Sequence, residues 1–480
     1  MDISSQTTIA QVLRGIWATA GLIEHPLQRV ALSGADPVLP SSFALGAAAQ
    51  TSIAAAALAA AALGRERNGA LQRIAVDMRH AALECTGHFS VAGRTPEIWD
   101  KLSGLYRCGA GWVRVHANFA HHRDGALRVL GLPAGDTTPR ASVEAALRKW
   151  QALDFEQACA DAGLVVAAAR SFAEWDAHPH SGAVAALPLI TLERIGDAAP
   201  RELPPLGVAA QPLQGVRVLD LTRILAGPVC GRTLAAYGAD VMLINAPHLP
   251  NIDHIADTSR GKLSAQVDLR TGNGRDSLRA LLRDAHVLVQ GYRPGALARH
   301  GFGPEDAARL RPGVVYVSLS AYGDTGPWGG RRGFDSLVQT ATGFNLAEAE
   351  AAQAARAGET HAAGAQAAQP KAMPVQILDY ASGFLMAFAA SAALLRQREE
   401  GGTWHARISL ARTALWLRSL GRVERGFDVR TPALDGYLET TTSGWGTLIA
   451  LRHAARFSHT PAHWHRPSVR PGTHAAVWPG

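Results

Sequence analysis

The stretch GVRVLDLTRILAGPVCGRTLAAYGADVMLINA, residues 215–246, decides the fold. An apolar strand pattern at 216–221 is followed by a Gly-Pro turn that opens a helical pattern, and Gly238 ends that helix before a second strand pattern at 240–246. Two strands joined by a helix over about 30 residues form a βαβ unit with parallel strands. Further strand patterns at 286–292 and 314–320 extend it. The sequence therefore predicts an α/β fold with an open, doubly wound, Rossmann-like large domain.

The remaining sequence suggests a smaller mixed α/β domain and a segmented chain. A helix and strand pattern occupies 45–83, a mixed α/β pattern occupies 105–190, and a long apolar helix opens the C-terminal part. A Pro-rich stretch separates the two halves, and an Ala-rich low-complexity stretch reads as a surface insertion or mobile loop. We predict five segments with the bounds 1–196, 197–212 (linker), 213–345 (large domain), 346–372 (insertion) and 373–480.

Composition narrows the class of protein. The 480 residues are 47% hydrophobic and 18% charged, which favours a large packed core, and the net charge of +7 favours anionic partners. Four scattered cysteines without a CxxC pair favour reduced thiols and a cytoplasmic location. The N-terminus has no signal-peptide pattern, and the Ala-rich stretch 44–64 favours a buried helix over a membrane span. We expect no nucleic-acid or membrane partner.

Several chemistries are excluded by missing motifs. The first βαβ unit lacks GxGxxG, and the chain contains no GxSxG, HExxH or GxxxxGK[ST]. The C-terminal histidines have no acidic or cysteine neighbours at metal-ligand spacing. We therefore expect no metal site and no nicotinamide, flavin or other cofactor.

Two Ala-rich helix patterns resemble each other across the chain. Residues 378–402 can be placed over 45–69 at an offset of 333, so that Arg398 matches Arg65 and Gly402 matches Gly69, and a strand pattern follows both. The match indicates an internal repeat, although two Ala-rich helices can also agree by chance.

Five stretches taken in order resemble the class III CoA-transferases, the group of formyl-CoA transferase, carnitine CoA-transferase and alpha-methylacyl-CoA racemase. They are GVRVLDLTRILAGPVCGRTLAAYGADVMLINAP, SRGKLSAQVDLR, VLVQGYRPGALARHGFGPED, RPGVVYVSLSAYGDTGPWGGRRGFDSLVQTATG and QILDYASGFLMAFAASAALLRQREEGGTWHARISLA. The resemblance covers about residues 213–422. Residues 45–190 resemble the distal half of the same family, placed ahead of the proximal half, so the chain resembles a fusion of a partial copy with a more complete one.

The resemblance implies a catalytic aspartate at Asp379, in a catalytic helix that opens the last segment. It would act as a nucleophile that exchanges acyl and CoA groups through covalent intermediates, and we expect the helix N-terminus to keep it ionised. An aspartate that begins a helix is also a common N-cap, and both roles are compatible. The repeat places Gly46 opposite Asp379, so the N-terminal copy would lack a nucleophile.

Binding residues are implied in the same way. A glycine-rich turn would offer backbone N–H groups to the thioester oxygen, and basic residues and a helix N-terminus would bind coenzyme A, which is a substrate here. The predicted turn residues are Tyr322, Gly323, Gly326, Gly329 and Gly330; the predicted CoA-binding residues are Ala226, Gly227, Lys262, Tyr292 and Arg293.

The predicted function is a CoA-transferase that acts on an acyl-CoA and a free carboxylic acid, as a possible homodimer. One alternative is an acyl-CoA racemase or a lyase-like activity on the same fold. A racemase needs a histidine paired with the aspartate, and that family position is Phe334, which favours transfer. The other alternative is a non-catalytic acyl-CoA-binding subunit, because one copy lacks the aspartate.

Overall fold

The computed structural model describes residues 8–357 and 369–479. The helices are α1 Ile9–Ala18, α2 Leu45–Asn68, α3 Met78–Glu84, α4 Ala120–Val129, α5 Arg140–Leu147, α6 Ala152–Asp161, α7 Phe172–Asp176, α8 Pro179–Ala185, α9 Ala226–Ala236, α10 Ile255–Thr258, α11 Gly272–Arg283, α12 Pro304–Leu310, α13 Asp335–Ala341, α14 Phe344–Ala357, α15 Ile377–Glu400 and α16 Leu410–Ser419. The strands are β1 Val30–Ser33, β2 Ile74–Asp77, β3 Phe89–Val91, β4 Gly104–Arg107, β5 Trp112–Val115, β6 Val166–Ala168, β7 Thr191–Gly196, β8 Arg217–Leu221, β9 Asp240–Asn245, β10 Lys262–Gln266, β11 Val287–Gln290, β12 Val315–Ser320, β13 Thr403–Ser409, β14 Leu438–Ser443, β15 Gly446–Leu451 and β16 Ala455–Phe457.

A seven-stranded sheet with the order β10-β9-β8-β11-β12-β13-β7 forms the large domain. Its strands pair in parallel except for β7, which is antiparallel to β13. The chain runs outward from β8 to β10 and then returns to place β11 on the other side of β8. This reversal makes the boundary between β8 and β11 the topological switch point of a doubly wound sheet. The predicted fold class is confirmed.

Two long helices, α2 and α15, are buried in one core together with α9. Both have the length and hydropathy of a membrane span, but nearly all of each is covered by the rest of the protein, as in the core helices of a packed domain. Their small residues allow close approach: a Cβ at Gly383 of α15 would lie 2.5 Å from the backbone oxygen of Ala226 in α9. Helix α15 is thus fixed against α9, the helix of the βαβ unit.

The N-terminal half repeats part of the large domain. β1, β2 and β16 form a sheet in which β1 and β2 are parallel and β16 is antiparallel to β2, the same arrangement as β12, β13 and β7. α2 precedes β2 as α15 precedes β13, and both helices have 24 residues. Their bounds, 45–68 and 377–400, give an offset of 332, which places Ala47 opposite Asp379, one residue beyond the predicted Gly46.

The small α/β domain is built on the sheet β4-β5-β6, with helices of the N-terminal segment around its own apolar core. The division of the chain differs from the prediction in two places. β7, at the end of the 1–196 segment, is the edge strand of the large sheet. The predicted loop at 346–372 is helical up to residue 357, where α14 ends, and residues 358–368 lie outside the described residues.

The linker 197–212 contains no helix or strand but is attached to the core. Arg67 at the end of α2 donates to the backbone oxygens of Pro204 and Pro212. Backbone oxygens that accept such hydrogen bonds keep an irregular segment in place. The linker therefore lies along the junction of the two halves.

Candidate functional site

A cavity of about 430 Å³ lies at the switch point of the large sheet, and we call it the central cavity. Its walls include residues that follow β8 and β11 and the last two residues of β12, at the carboxyl ends of these strands, where ligands bind in open α/β sheets. The small domain covers it from the other side. The lining residues are Phe119, His121, His122, Val165, Arg223, Ile224, Leu249, Pro250, Gly291, Tyr292, Arg293, Pro294, Ala296, Leu319, Ser320, Arg331, Arg332, Gly333 and Phe334.

Two smaller cavities adjoin it. The lateral cavity, about 150 Å³, includes Gly323, His405 and Arg412 in its walls. The outer cavity, about 310 Å³, includes His248 and Arg299. Tyr292 and Arg293 line all three cavities, so the three form neighbouring parts of one groove along the ends of the strands.

Asp379 lies in the first turn of α15 and is buried, with 9% of the residue exposed. Its backbone N–H donates to the Oδ2 atom of Asp335, at the start of α13, over 2.8 Å. Gln339 donates to the other oxygen of Asp335. The side chain of Asp335 therefore accepts a hydrogen bond from the N-terminal turn of α15, and this backbone N–H group is no longer available to stabilise a charge on Asp379. The two carboxyl groups form a buried pair.

The pair holds a proton more strongly than isolated carboxyl groups do. Burial raises the pKa of Asp379 well above its ordinary value, and the charge of Asp335 raises it further. Burial raises the pKa of Asp335 to about 7, although the N–H of Asp379, Gln339 and the charge of Arg114 oppose it. The expectation that the helix N-terminus keeps Asp379 ionised is therefore wrong, because burial and a like charge outweigh that effect.

Asp379 lines none of the cavities found in the described part of the chain, but the wall of the central cavity leads to it. Gly333 and Phe334 line that cavity, and Asp335 follows directly in the chain. The ring of Phe334 stacks on His116 of the small domain with centroids 4.0 Å apart. The carboxyl pair thus lies behind this aromatic wall, with a small accessible area at Asp379.

The hydrogen bonds that hold the predicted glycine turn in place come from the small domain and not from Asp379. His180 of α8 donates from Nε2 to the backbone oxygen of Tyr322 over 2.8 Å and accepts from the N–H of Trp328 over 3.2 Å. Tyr322 is buried, and burial raises the pKa of its phenol. Gly326 packs against His180, with positive φ. Of the five predicted turn residues, Gly323 lines the lateral cavity and Tyr322, Gly326, Gly329 and Gly330 line none of the cavities in the described chain.

The predicted CoA-binding residues separate into two groups. Tyr292 and Arg293 lie together at the groove. Ala226 and Gly227 are buried in the first turn of α9, against α15 and Thr222 respectively. The Lys262 ammonium is fully buried, donating to Asp220 over 2.7 Å and to the backbone oxygen of Pro228 over 2.8 Å. Its contacts are internal, so any role in CoA binding remains a prediction.

The sequence interpretation missed several lining residues. His121 and His122 lie in the first turn of α4 in the small domain, Arg223 follows β8, and Arg332 precedes Phe334. The position of Arg223 after an apolar strand was a usable signal, because strand ends carry ligand contacts. No local sequence pattern predicts that the small domain packs over the switch point. No group of three or more histidine, cysteine or acidic side chains able to hold a metal occurs in residues 8–357 and 369–479.

Comparison with known proteins confirms the resemblance over the second half of the chain. Residues 213–433 match the model of CoA-transferase family III. The matching segment contains six of the seven strands of the large sheet, the switch point and Asp379, and it is similar to the class III CoA-transferases.

Relatives of this segment are named as acyl-CoA or CoA-transferases. The "Probable fatty acyl-CoA transferase Rv3272" of Mycobacterium tuberculosis is 34% identical over 211 residues, covering 41% of this chain and 50% of that protein. The succinate–glutarate CoA-transferase of Agrobacterium fabrum is 31% identical over 218 residues, covering 42% and 51%. The chain spans about half the length of the curated relatives it matches.

Solved structures of the family are also similar to this segment. The crystal structure of Rv3272 is 33% identical and covers 44% of this chain and 58% of that chain, with a TM-score of 0.36. A CaiB/BaiF family protein from Brucella suis is 25% identical and covers 50% and 65%, with a TM-score of 0.35.

Proposed function

We propose that the protein is a CoA-transferase that moves CoA from an acyl-CoA to a free carboxylic acid, with Asp379 as the nucleophile. The observation that carries the proposal is the buried pair of Asp379 and Asp335 behind a cation-lined cavity at the switch point of a class III segment. Buried carboxyl groups with raised pKa values are costly to a fold and are concentrated at functional sites.

The proposed reaction proceeds by acyl exchange at the Asp379 carboxylate. The carboxylate attacks the thioester carbonyl, the carbon–sulfur bond breaks, and an aspartyl mixed anhydride and CoA thiolate form. The thiolate attacks the aspartyl carbonyl, releases the donor's carboxylate and leaves an aspartyl-CoA thioester. The acceptor carboxylate then attacks that thioester to form a second anhydride and expels CoA thiolate. The thiolate attacks the acceptor's carbonyl and gives the new acyl-CoA and free Asp379.

The surrounding residues fit these steps. Asp335 fixes the first turn of α15 by accepting the Asp379 N–H, so it is a positioning residue. Arg293 and Tyr292, at the junction of the three cavities, are suited to bind the phosphate-bearing part of CoA. The steps use only carboxyl and thioester groups, and we propose no metal or redox cofactor. The four free cysteines are consistent with a cytoplasmic location, which we also propose.

Trapping of the covalent intermediate tests the proposal. Incubation with acyl-CoA and then hydroxylamine should convert the Asp379 side chain into a hydroxamate that peptide mass spectrometry detects. Asp379→Asn should lose the adduct and CoA exchange while it still binds CoA, because the amide is a poor nucleophile. The control Asp276→Asn, a largely exposed carboxylate on α11, should behave as wild type. Exchange that persists in Asp379→Asn would refute the assignment.

One observation supports the racemase alternative. His116 stacks on Phe334, and His122 packs edge-on against it with centroids 6.0 Å apart, so imidazoles lie next to the position where a racemase carries its histidine. Burial lowers the pKa of both histidines to about 3, so both rings are neutral but only weakly basic, and this low basicity counts against proton abstraction by either. Incorporation of deuterium from D₂O at the α-carbon of a 2-methylacyl-CoA, without an acceptor acid, would favour this alternative over transfer.

A further inference from the structure

A further cavity, of about 640 Å³, lies in the N-terminal copy, and we call it the repeat cavity. Ser33 and Asp77, the last residues of β1 and β2, form one wall, and parts of 436–439 and 452–464 from the last segment form the other. None of these residues lines the central, lateral or outer cavity. The repeat cavity is therefore separate from the groove of the large sheet.

The strand pairing places the repeat cavity opposite the lateral cavity. Ser33 is paired with Asp77 at the ends of the parallel strands β1 and β2. At the ends of β12 and β13, Ser320 is paired with Ser409, and both line the lateral cavity. The two cavities thus begin at equivalent strand ends of the repeat.

A hydrogen bond in each copy supports this equivalence. Nε2 of His80, the third residue of α3, donates to the backbone oxygen of Arg452 over 3.0 Å. Nε of Arg412, the third residue of α16, donates to the backbone oxygen of Leu187 over 2.6 Å. Arg452 comes shortly before β16 and Leu187 shortly before β7, the two equivalent antiparallel strands. The same contact therefore closes the same side of both cavities.

The N-terminal copy keeps the support of the reacting group without the group itself. Asp36 accepts from the backbone N–H groups of Gly46 over 3.0 Å and of Ala47 over 2.8 Å. Asp335 accepts in the same way from Asp379 in the other copy. Ala47 stands opposite Asp379 and has no carboxylate, so this copy is suited to bind a ligand and not to react with it.

Two arginines of the repeat cavity are available to an anion. Arg452 and Arg456 line it, are exposed, and form no ion pair within residues 8–357 and 369–479. Arg452 donates from Nη2 to the backbone oxygen of Gly436 and keeps its other donors. Guanidinium groups without a carboxylate partner favour the binding of an anion.

The two carboxylates in the wall are engaged elsewhere. Asp77 caps α3, accepting from the backbone N–H of His80 over 3.0 Å, and also accepts from Oγ of Ser33 over 3.1 Å. Glu439 accepts from Arg260 over 2.8 Å. Neither carboxylate therefore neutralises the two arginines.

Aromatic rings form another part of the wall. The rings of His80 and Tyr437 are in contact, with centroids 4.9 Å apart. Burial lowers the pKa of His80, so this ring is neutral near pH 7. Trp464 also lines the cavity, with the guanidinium of Arg260 stacked on its ring at 3.8 Å. Walls of this kind are suited to a planar ring.

We propose that the repeat cavity is a second, non-catalytic site that binds an aromatic anion, a planar ring carrying a carboxylate or a phosphate group. The ring packs against the aromatic wall, and the anionic group accepts charge-assisted hydrogen bonds from Arg452 and Arg456. The volume of the cavity lies within the range of small-molecule sites. Because the walls come from both ends of the chain, the ligand also stabilises the folded protein.

Matched probes test the class of ligand by equilibrium dialysis and thermal melting. In the phosphate arm, AMP should bind at least about tenfold more tightly than adenosine, which lacks the charge, and than ribose 5-phosphate, which lacks the base. In the carboxylate arm, phenylacetate is compared in the same way with phenylacetamide and cyclohexylacetate. The arm that shows the preference identifies the anion, and the preferred probe should raise the melting temperature. A preference in neither arm would overturn the proposal.

Substitutions locate the bound probe. Arg456→Gln and Tyr437→Leu should each weaken its binding by about tenfold, with melting without ligand close to wild type, because Arg456 is exposed and Tyr437 half-buried. Arg283→Gln, which removes an exposed arginine of α11 that has no ion pair in the described chain, should keep the affinity. Arg293→Gln, in the groove of the large sheet, should keep it as well.

Binding that survives both substitutions in the repeat cavity, or that is lost only in Arg293→Gln, would overturn the proposal. Neither measurement involves CoA exchange or hydroxamate formation at Asp379. The proposed function and this second site therefore stand or fail separately.

Discussion

Asp335 determines the pH range in which Asp379 is ionised. Its charge and the burial of the pair raise the pKa of Asp379, and its Oδ2 accepts the Asp379 N–H. A carboxyl group with a raised pKa is ionised, and hence nucleophilic, only as the pH rises through the pKa of the pair. The wild type should therefore gain activity with pH near and above neutrality.

Asp335→Asn should shift this profile to lower pH. The amide oxygen can still accept the Asp379 N–H, but the like charge is gone, so the pKa of Asp379 falls and more of it is ionised at neutral pH. The acid limb of log kcat/KM against pH measures the change. The control is Asp276→Asn, because Asp276 is an exposed carboxylate. Gln397→Glu would not serve as a control, because Gln397 is buried. An unchanged acid limb would contradict the coupling.

The same substitution has a consequence for stability. The folded pKa of Asp335, about 7, lies above its unfolded value, so the folded state binds the extra proton between about pH 4 and pH 7. The free energy of unfolding of the wild type should then fall as pH rises across this window. Asp335→Asn should reduce that fall, which denaturant titrations at both ends of the window measure.

At the level of elements, contact between α15 and α9 fixes the first turn of α15, which carries Asp379. Gly383 lies four residues after Asp379, and a Cβ there would be 2.5 Å from the backbone oxygen of Ala226 and 2.8 Å from the Val229 side chain. A backbone oxygen in a helix cannot move aside cheaply, so the two helices must separate.

Gly383→Ala should therefore destabilise the protein by about 1–3 kcal/mol, even though alanine is the better helix former. Gly182→Ala is a matched control, because Gly182 also lies within a helix and has no atom within 4 Å of the added Cβ. The melting temperature of Gly383→Ala should be lower than that of the wild type. The melting temperature of Gly182→Ala should be unchanged or higher. Equal melting temperatures for both would contradict the close packing of α9 and α15.

The elements that the sequence predicted correctly are those with local signals. The strand pattern at 216–221, the Gly-Pro turn and Gly238 predicted β8, α9 and β9 because apolar runs and breakers act over a few residues. The low-complexity stretch predicts a loop, yet alanine is a strong helix former and α14 extends to residue 357. The pairing of Asp335 with Asp379 was missed because 44 residues separate two groups that only tertiary packing joins.

For the whole molecule, the two halves are interleaved and do not simply follow each other. β7 of the first half completes the large sheet, while β15 and β16 of the last segment pair with β3 and β2 of the first. Such exchanges have no local sequence signal, because the residue pattern of a strand does not depend on which sheet edge it pairs with. Together with the chain connections, they place the small domain over the switch point within one chain.

A buried charge cluster joins these halves. Glu84 of α3 is fully buried and contacts Arg232 of α9 at 3.1 Å and His453 of the C-terminal segment at 3.0 Å. Burial alone would raise the pKa of Glu84, but His453 and Arg232 outweigh it and lower the pKa to about 2. Its charge therefore stabilises the folded state above its unfolded pKa, and this stability is lost as pH falls toward 2.

Glu84→Gln should lower the free energy of unfolding at pH 7 by about 3 kcal/mol or more, because it leaves Arg232 with one carboxylate fewer in a buried site. It should also flatten the dependence of stability on pH between about 4 and 2. Chemical denaturation at a series of pH values measures both effects. Glu144→Gln, which removes a half-exposed partner of Arg140 on α5, should change stability by less than about 1 kcal/mol. If Glu84→Gln costs no more than this surface change, the cluster does not hold the two halves together, and the cover over the central cavity must depend on the sheet pairings instead.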